Sequence, residues 1–264
     1  MYRMLWQRMT AFAGKRQRSF AGSDSHVPLF LRPLMKKSLS LLVFLICAGL
    51  WAVAQANRPA DLQTVLNLMD RTAANLHTVE TDFAWEDYER VVNNLDHQNG
   101  VMYFSRSGKD VEMSAEIKQP APKFVLFKAG TVRVYEPRID QVTVYNVGKN
   151  KADFEAFLGL GFGGAGRDLT KNFEVRYAGS EPVAGVTAYK LELVPRTASA
   201  RNTFPLITLW IDADRGIAVQ QRFDQGGGNY RLAQYSNIKL NQKLPDGVFK
   251  PKKAKTTVTP QGGM

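Results

Sequence analysis

The sequence predicts a mainly β protein, with one large curved antiparallel sheet, a helix near its start and a lid element in its middle. Three observations lead to this prediction. Short β-favouring runs separated by turn signals recur along most of the chain without alternating helices; one amphipathic helical pattern precedes them; and one helical run followed by glycines interrupts them. A sheet with this many strands has to curl or close.

A secretory signal peptide is predicted at residues 35–56. It has a basic start at Lys36 and Lys37, an apolar run over residues 39–53, and a small-x-small cleavage site ending at Ala56. An uncleaved membrane anchor is the alternative, but the apolar run is shorter than the roughly 18 residues that a spanning helix needs. The mature chain would therefore begin at Asn57.

Residues 1–34 are interpreted as an upstream extension or a mis-assigned start, because Met35 would itself open an ordinary signal peptide. A long n-region is the alternative. The first 56 residues carry eight of the 35 Lys and Arg but one of the 24 Asp and Glu, which leaves 27 against 23, a net charge of +4 instead of +11. This weak basicity gives little support to nucleic-acid binding, and we expect no nucleic-acid partner.

The only cysteine, Cys47, lies inside the predicted signal peptide. The mature chain is therefore expected to have no disulfide, no thiol nucleophile and no cysteine metal site. Cys47 is also not a lipidation site, because it follows Ile46, where a small residue is required, and the apolar run continues beyond it. These features predict a soluble product located in a bacterial periplasm.

The mature chain shows no internal repeat and no domain linker, so residues 57–250 are predicted to form a single domain. Residues 251–264 are predicted to be a basic flexible tail, with contact to an anionic membrane surface or partner as the less favoured interpretation. The first element is an amphipathic helix over residues 61–76, with Asp61 as its candidate N-cap. Outside the central meander, strands are predicted at residues 81–92, 101–105, 110–117, 173–177, 188–194, 206–212, 217–223 and 230–240.

Residues 124–145 carry the clearest β pattern, an antiparallel meander divided by two turn signals. Val132 and Val134 alternate with polar residues, and Val142 and Val144 repeat this alternation, so one face of the meander is apolar and needs cover. The pattern becomes helical at residues 153–158 and then runs into the glycine-rich residues 159–166. We interpret this segment as a movable lid on an apolar sheet.

The glycine-rich segment also matches the string G-x-G-x-x-G at residues 159–164. A dinucleotide fingerprint lies between a parallel strand and a helix, whereas this match follows a helical run in a β chain. The glycines are interpreted instead as flexibility, either of a hinge or of an ordinary surface loop. His77 and His97 stand in no metal or triad pattern, and no nucleophile, base and oxyanion set is evident. The protein is therefore predicted not to be an enzyme and to need no cofactor or metal.

Apolar and aromatic side chains are abundant where the sheet meets the predicted lid. For any single residue a packed core is the alternative, but the set beside a glycine run suggests a cavity that opens. The lid's own Phe154 or Phe157 could fill that cavity when it is empty. Strand alternation and the lid together predict the following lining of a ligand cavity: Val111, Met113, Ile117, Phe124, Leu126, Val132, Val134, Val142, Val144, Phe154, Phe157, Leu158, Leu209 and Ile211.

A series of short motifs follows the predicted signal peptide in order. They are the helix at residues 62–76 with Thr81-Asp82-Phe83, then Pro122-Lys123-Phe124, residues 130–137, residues 141–145, residues 189–195, Leu209-Trp210-Ile211-Asp212, Tyr235-Ser236-Asn237-Ile238, and residues 244–249. Together these motifs cover nearly all of the mature chain. They resemble the periplasmic outer-membrane lipoprotein carrier family (LolA-type).

The resemblance implies an incomplete antiparallel barrel, closed by an N-terminal helix and a helical lid, with a hydrophobic cavity that holds acyl chains. It also implies the partners of such a carrier. These are acylated lipoproteins, an inner-membrane ABC-type lipoprotein-releasing complex and an outer-membrane lipoprotein acceptor. The alternatives on the same fold are a periplasmic sensor or regulator and a general lipid-binding protein. A third class, a small enzyme, would need a polar pair such as Tyr189 with Arg133 in the cavity.

The sequence departs from the family pattern at Ala121. Family members commonly have an arginine just before the proline that matches Pro122, and that arginine hydrogen-bonds to the lid in the closed state. Lys118, Lys123 and Arg133 are the candidate substitutes nearby.

Overall fold

The structure, a computed structural model, describes residues 61–108, 110–148, 155 and 158–259. The predicted upstream extension, the predicted signal peptide and most of the predicted lid helix at residues 153–158 lie outside the described residues.

The described part of the chain forms three α-helices and twelve β-strands. The helices are α1 (Leu62–Asn75), α2 (Gly166–Asn172) and α3 (Ala198–Thr203). The strands are β1 (Thr78–Glu89), β2 (Asn94–Ser107), β3 (Asp110–Gln119), β4 (Lys123–Lys128), β5 (Thr131–Glu136), β6 (Gln141–Asn146), β7 (Phe173–Val183), β8 (Val186–Pro195), β9 (Leu206–Asp212), β10 (Ala218–Asp224), β11 (Tyr230–Leu240) and β12 (Thr256–Val258).

All twelve strands belong to one open, curved sheet, in the order β12-β6-β5-β4-β3-β2-β1-β11-β10-β9-β8-β7. Neighbouring strands are antiparallel except β12, which pairs in parallel with β6. Each of β2 to β6 follows its neighbour directly along the chain, and β4, β5 and β6 form the meander predicted at residues 124–145. The predicted fold class, mainly β with few helices, is confirmed.

Helix α1 covers one face of the sheet, which we call the inner face. Asp61 caps the helix by accepting a hydrogen bond from the Thr64 backbone N–H at 2.8 Å, because the first N–H groups of a helix lack partners within it. Val65, Leu66 and Met69 recur at helical spacing and are buried. They share a core cluster with the inner-face residues Leu191, Leu193, Ile207, Leu209 and Ile211.

Pairing register assigns the strand residues of the meander to faces. Ala115 pairs with Val125 and Met113 with Phe127, and these residues pack in the inner-face clusters. Because side chains alternate along a strand, Phe124 and Leu126 lie on the opposite, outer face. Phe124 pairs with Tyr135 of β5, which pairs with Val142 of β6. In the same way, Leu126 pairs with Arg133, which pairs with Val144. Val142 and Val144 therefore also lie on the outer face.

These four assignments correct the sequence prediction, which placed Phe124, Leu126, Val142 and Val144 with the cavity. The physical reason is that β4 is apolar on both faces, so alternation alone does not show which face is covered. The outer face is covered here by the chain after β11. The Nζ atom of Lys252 lies 4.7 Å from the centroid of the Phe124 ring, and Val248 is buried.

Strand β12 extends the folded domain beyond Lys250, where the sequence predicted a flexible tail. Its register pairs Thr256 with Gln141, Thr257 with Val142 and Val258 with Thr143. A strand of three residues is too short to show a periodic signal, and only pairing along the free edge of β6 defines it. The sequence analysis missed α2 and α3 for the same reason of length.

Stability is expected to depend on pH through Asp212, which is buried in the turn after β9. Its carboxylate accepts hydrogen bonds from the backbone N–H groups of Asp214 and Arg215 and from Nε of Arg215, at 2.8, 2.9 and 2.7 Å. Burial by itself would raise the pKa of Asp212, but these hydrogen bonds and the charge of Arg215 outweigh burial and hold the pKa below its ordinary value.

A carboxyl group with a lowered pKa stabilises the fold only while it is ionised. Its contribution is fully present above the unfolded pKa of about 3.9 and is lost as the pH falls through the lower folded value. We expect Asp212→Asn to reduce the free energy of unfolding at neutral pH by about 1–3 kcal/mol. In urea titrations the difference from the wild type should shrink as the pH falls below about 4. A difference independent of pH would contradict this account, and Asp214→Asn in the same turn is the control.

Candidate functional site: an apolar cavity beside a buried loop

A cavity of about 560 Å³ opens on the inner face of the sheet. This volume falls within the range that is typical of ligand sites. Strands β1, β2, β3, β10 and β11 contribute its floor, and α2, α3 and the ends of β7 and β8 contribute its sides. Its apolar lining consists of Trp85, Met102, Met113, Val147, Leu158, Phe162, Phe173, Pro195, Ala200, Phe204, Phe223, Ala233 and Tyr235.

Phe162 lines one wall of the cavity and belongs to residues 159–165, which we call the lid loop. The loop is largely buried between α1 and the sheet. Leu160 packs in the cluster of Val65, Leu66 and Met69, whereas Phe162 meets the Tyr235 ring edge-on with centroids 4.6 Å apart. The lid loop thus fills space on the inner face with its own apolar side chains.

The glycines of this region allow close approach of neighbouring chain segments. Gly161 has a φ of +78°, and a Cβ atom there would lie 2.3 Å from the Cβ of Ala218. Its carbonyl accepts a hydrogen bond from the Ala218 N–H at 2.9 Å. A Cβ on Gly166 would lie 2.4 Å from the Leu66 carbonyl oxygen. The sequence analysis interpreted these glycines as flexibility, whereas the structure shows them in tight packing.

Arg106 of β2 holds the lid loop from one side. Its Nη1 donates a hydrogen bond to the Gly163 carbonyl oxygen, across 57 residues of sequence. The guanidinium group is half-buried and lies 5.8 Å from the centroid of the Phe104 ring. Burial lowers the pKa of Arg106, and the charge of Asp168 opposes this effect. A charge-assisted hydrogen bond in such surroundings is stronger than a neutral one.

The sequence analysis considered Lys118, Lys123 and Arg133, near Ala121, as candidates to hydrogen-bond to the lid, but the arginine that hydrogen-bonds to the lid loop is Arg106. Lys118 is exposed at the end of β3, Lys123 lies 3.7 Å from Glu136, and Arg133 lies on the outer face. Within the described residues, none of these three hydrogen-bonds to the lid loop. The sequence analysis missed Arg106 because nothing in its neighbourhood marks it as a partner of the distant glycine run.

Gln221 of β10 holds the lid loop from the other side. Its side chain is buried, with 5% of its surface exposed, and Nε2 donates to the Leu160 carbonyl oxygen. The Tyr235 hydroxyl donates to Oε1 of Gln221 at 3.0 Å, and burial raises the pKa of Tyr235, so this hydroxyl keeps its proton. Arg106 and Gln221 thus each donate a hydrogen bond to a backbone carbonyl group of the lid loop, and Tyr235 donates one to Gln221.

The structure separates the residues that the sequence predicted as cavity lining. Met113 and Leu158 line the cavity. Four of the predicted residues pack in inner-face clusters beside the cavity, namely Val111, Ile117, Val132 and Val134. Two more, Leu209 and Ile211, are fully buried under α1. Phe154 and Phe157 lie outside the described residues.

The structure also adds lining residues that sequence analysis did not select. Phe162 lies in the predicted glycine-rich segment, and Phe204, Phe223 and Tyr235 lie in or beside predicted strands. Gln221 gives no hydrophobic signal at all. The polar pair considered for an enzyme, Tyr189 and Arg133, is not brought together, because Tyr189 packs on the inner face and Arg133 lies on the outer face.

The described residues contain no group of three or more His, Cys, Asp or Glu side chains placed to hold a metal ion. Within the same residues, no helix combines the length and the apolar character that crossing a membrane requires.

The chain was compared with known protein families. Residues 74–252 match the family model described as "Outer membrane lipoprotein carrier protein LolA", which is more than half of the chain. The chain belongs to this family. Its described LolA-family region includes most of the sheet, Arg106, the lid loop and the whole cavity lining.

Individual relatives of this LolA-family chain are distant. An outer-membrane lipoprotein carrier protein of Dechloromonas aromatica is 27% identical over 177 residues, which cover 67% of this chain and 77% of the relative. The Pseudomonas aeruginosa MucA/MucB complex structure matches with 16% identity, a TM-score of 0.46, and coverage of 73% of this chain and 62% of that one. A LolA superfamily protein of Nitrosomonas europaea matches with 16% identity and a TM-score of 0.36, covering 73% and 98% of the two chains.

Proposed function

We propose that the protein is a non-enzymatic periplasmic carrier, which binds the acyl chains of lipoproteins in its inner-face cavity and moves them from the inner to the outer membrane. The observation that carries this proposal is an apolar cavity of about 560 Å³ with one wall made by a loop that a few polar contacts hold in place. Membership of the LolA family and the name of the Dechloromonas aromatica relative support it.

The energetics of acyl transfer explain why a carrier needs such a cavity. Burial of an acyl chain is favourable by about 0.8 kcal/mol per CH2 group, so the chains of a lipoprotein anchor together amount to tens of kcal/mol and do not leave a membrane unaided. A carrier has to supply a comparable apolar surface and still release its cargo. A movable apolar wall lowers the net affinity because cargo has to displace it.

In this proposal the lid loop competes with the cargo. Leu160 and Phe162 occupy apolar space in the empty protein, and Arg106 and Gln221 hydrogen-bond the loop backbone in that closed arrangement. Cargo binding then moves the loop and breaks these contacts. Breaking these contacts costs free energy, which lowers the net affinity for the cargo. The contacts form again when the cargo leaves, and this favours release.

The proposed partners follow from this role. They are acylated lipoproteins, an inner-membrane ABC-type lipoprotein-releasing complex that loads the carrier, and an outer-membrane lipoprotein acceptor that unloads it. The predicted signal peptide at residues 35–56 supports a periplasmic location.

The proposal is tested by co-expressing the protein with a lipoprotein in its acylated form and with the lipidated cysteine substituted, followed by native mass spectrometry of the purified carrier. We expect the acylated form alone to co-purify. Co-purification of both forms would show recognition of protein surface and favour a sensor or regulator instead. Binding of free lipid without either form would favour a general lipid-binding protein.

A matched pair of variants connects the binding to the cavity. Met113 is half-buried and lines the cavity, and Val101 is half-buried on the outer face of the adjacent strand. Met113→Gln should weaken co-purification of the acylated lipoprotein, because it places an amide among apolar groups. Val101→Gln should leave it unchanged, and equal effects of the two variants would argue against the cavity as the binding site.

A further inference from the structure

The cavity lining changes character between its floor and its rim. The residues of the floor are buried and mostly apolar, such as Met102, Ala233 and Tyr235. The exposed part of the described lining is entirely polar and includes three cations and no carboxylate. These rim residues are Lys171, Asn172, Arg196, Thr197, Ser199, Thr203 and Arg231.

Six of the rim residues come from two segments that the fold holds together, the end of α2 and the connection from β8 through α3. The Arg196 N–H donates to the Asn172 carbonyl oxygen at 2.9 Å, and Nε of Arg196 donates to the Thr170 carbonyl oxygen at 3.2 Å. Arg201 then donates from Nε to the Pro195 carbonyl oxygen at 3.0 Å. These hydrogen bonds fix the two segments relative to each other, so the polar side chains of the rim are held at defined positions.

The cations at the rim are incompletely neutralised. Lys171 forms an exposed ion pair with Asp168 at 2.9 Å, a kind of pair that contributes little and is screened by salt. Arg231 is paired with Asp87 at 2.7 Å. Arg196 has no carboxylate partner among the residues that the structure describes.

We propose that this rim binds the negatively charged headgroup of a diacyl glycerophospholipid whose acyl chains enter the cavity. This inference rests on the proposed function, since it takes the cavity as an acyl site, and it adds a ligand class to that function. Phosphate oxygens accept hydrogen bonds from guanidinium, ammonium and hydroxyl groups, which Arg196, Lys171 and Ser199 present at the rim. An uncharged diacylglycerol group would contact only the apolar floor with its acyl chains, and the rim donors would stay hydrogen-bonded to water.

The test compares soluble short-chain ligands with identical acyl chains, namely phosphatidylglycerol, phosphatidylcholine and diacylglycerol, in displacing an apolar fluorescent probe from the purified protein. We expect phosphatidylglycerol to bind about tenfold more tightly than diacylglycerol, with phosphatidylcholine between them. The preference should decrease as salt is added, because the rim is exposed. Glycerol phosphate alone should not displace the probe, which distinguishes a lipid headgroup from a free phosphate ester.

A double variant, Lys171→Gln with Arg196→Gln, should reduce the preference to about twofold or less and leave diacylglycerol affinity unchanged. The control is Lys118→Gln with Lys243→Gln, which removes the same charge from exposed positions outside the cavity lining. Equal binding of all three lipids, or a preference that survives the rim variant, would overturn the inference and leave the proposed function standing. Failure of every diacyl ligand to bind would overturn both.

Discussion

Replacement of Arg106 with leucine is expected to raise the affinity of the protein for acylated cargo about tenfold or more, through faster association of the cargo. The lid loop and the cargo compete for the same apolar surface, and Arg106 stabilises the closed loop through its bond to the Gly163 carbonyl oxygen. Loss of a hydrogen bond from a charged donor costs the closed state about 1.5–3 kcal/mol. The open state, to which cargo binds, is then more populated.

Two measurements check this prediction for Arg106. Titration with acylated lipopeptide gives the affinity, and the amide exchange rate of Ala218 reports loop closure directly, because its N–H donates to the Gly161 carbonyl oxygen. Arg138→Leu, in the exposed turn between β5 and β6, makes the same chemical change away from the loop. Slow Ala218 exchange and unchanged affinity in the Arg106 variant would show that the contact does not control closure.

Replacement of Gln221 with leucine is expected to reduce the free energy of unfolding by about 1–3 kcal/mol and also to raise cargo affinity. The variant leaves the Leu160 carbonyl oxygen and the Tyr235 hydroxyl buried in the closed state without the partner they have in the wild type. Since cargo moves the loop and exposes these groups, the penalty falls on the closed empty protein. This result differs from that of Arg106→Leu, because Gln221 is buried whereas Arg106 is half-buried, so the loss of Gln221 also weakens the fold.

Gln220 provides the matched control for Gln221. It lies next in sequence on the outer face, where it accepts a hydrogen bond from Gln234 at 3.0 Å, and its replacement with leucine should change neither cargo affinity nor Ala218 exchange. Urea unfolding and the same lipopeptide titration measure both variants. If Gln221→Leu loses stability with no gain in affinity, Gln221 supports the fold alone and does not oppose cargo.

The elements with strong local patterns were predicted well from the sequence. The helix at residues 61–76 and the strands at residues 206–212 and 230–240 agree with α1, β9 and β11 within one residue at each end. Helical spacing and strand alternation depend on residues close together in the chain, so they are readable without a structure. The ordered motifs that resemble the lipoprotein carrier family share this property, and the family model confirmed them.

The faces of the sheet were predicted less well. Val132 and Val134 lie on the inner face beside the cavity, whereas Phe124 and Leu126, which were predicted to line it as well, lie on the outer face. The reason is that β4 is apolar on both sides and its outer side is covered by a distant part of the chain. A shift of one position in a strand moves a side chain to the other face. Only the pairing register resolves such a strand.

The sequence by itself determined the mainly β class, the order of most elements, the family and the existence of an apolar surface beside a glycine run. The tertiary structure alone decided which residues form the cavity wall and its polar contacts. Arg106 and Gly163 are 57 residues apart, and Gln221 and Leu160 are 61 apart. Such contacts depend on how strands pair and on how a loop packs against them, and neither leaves a periodic signal in the chain.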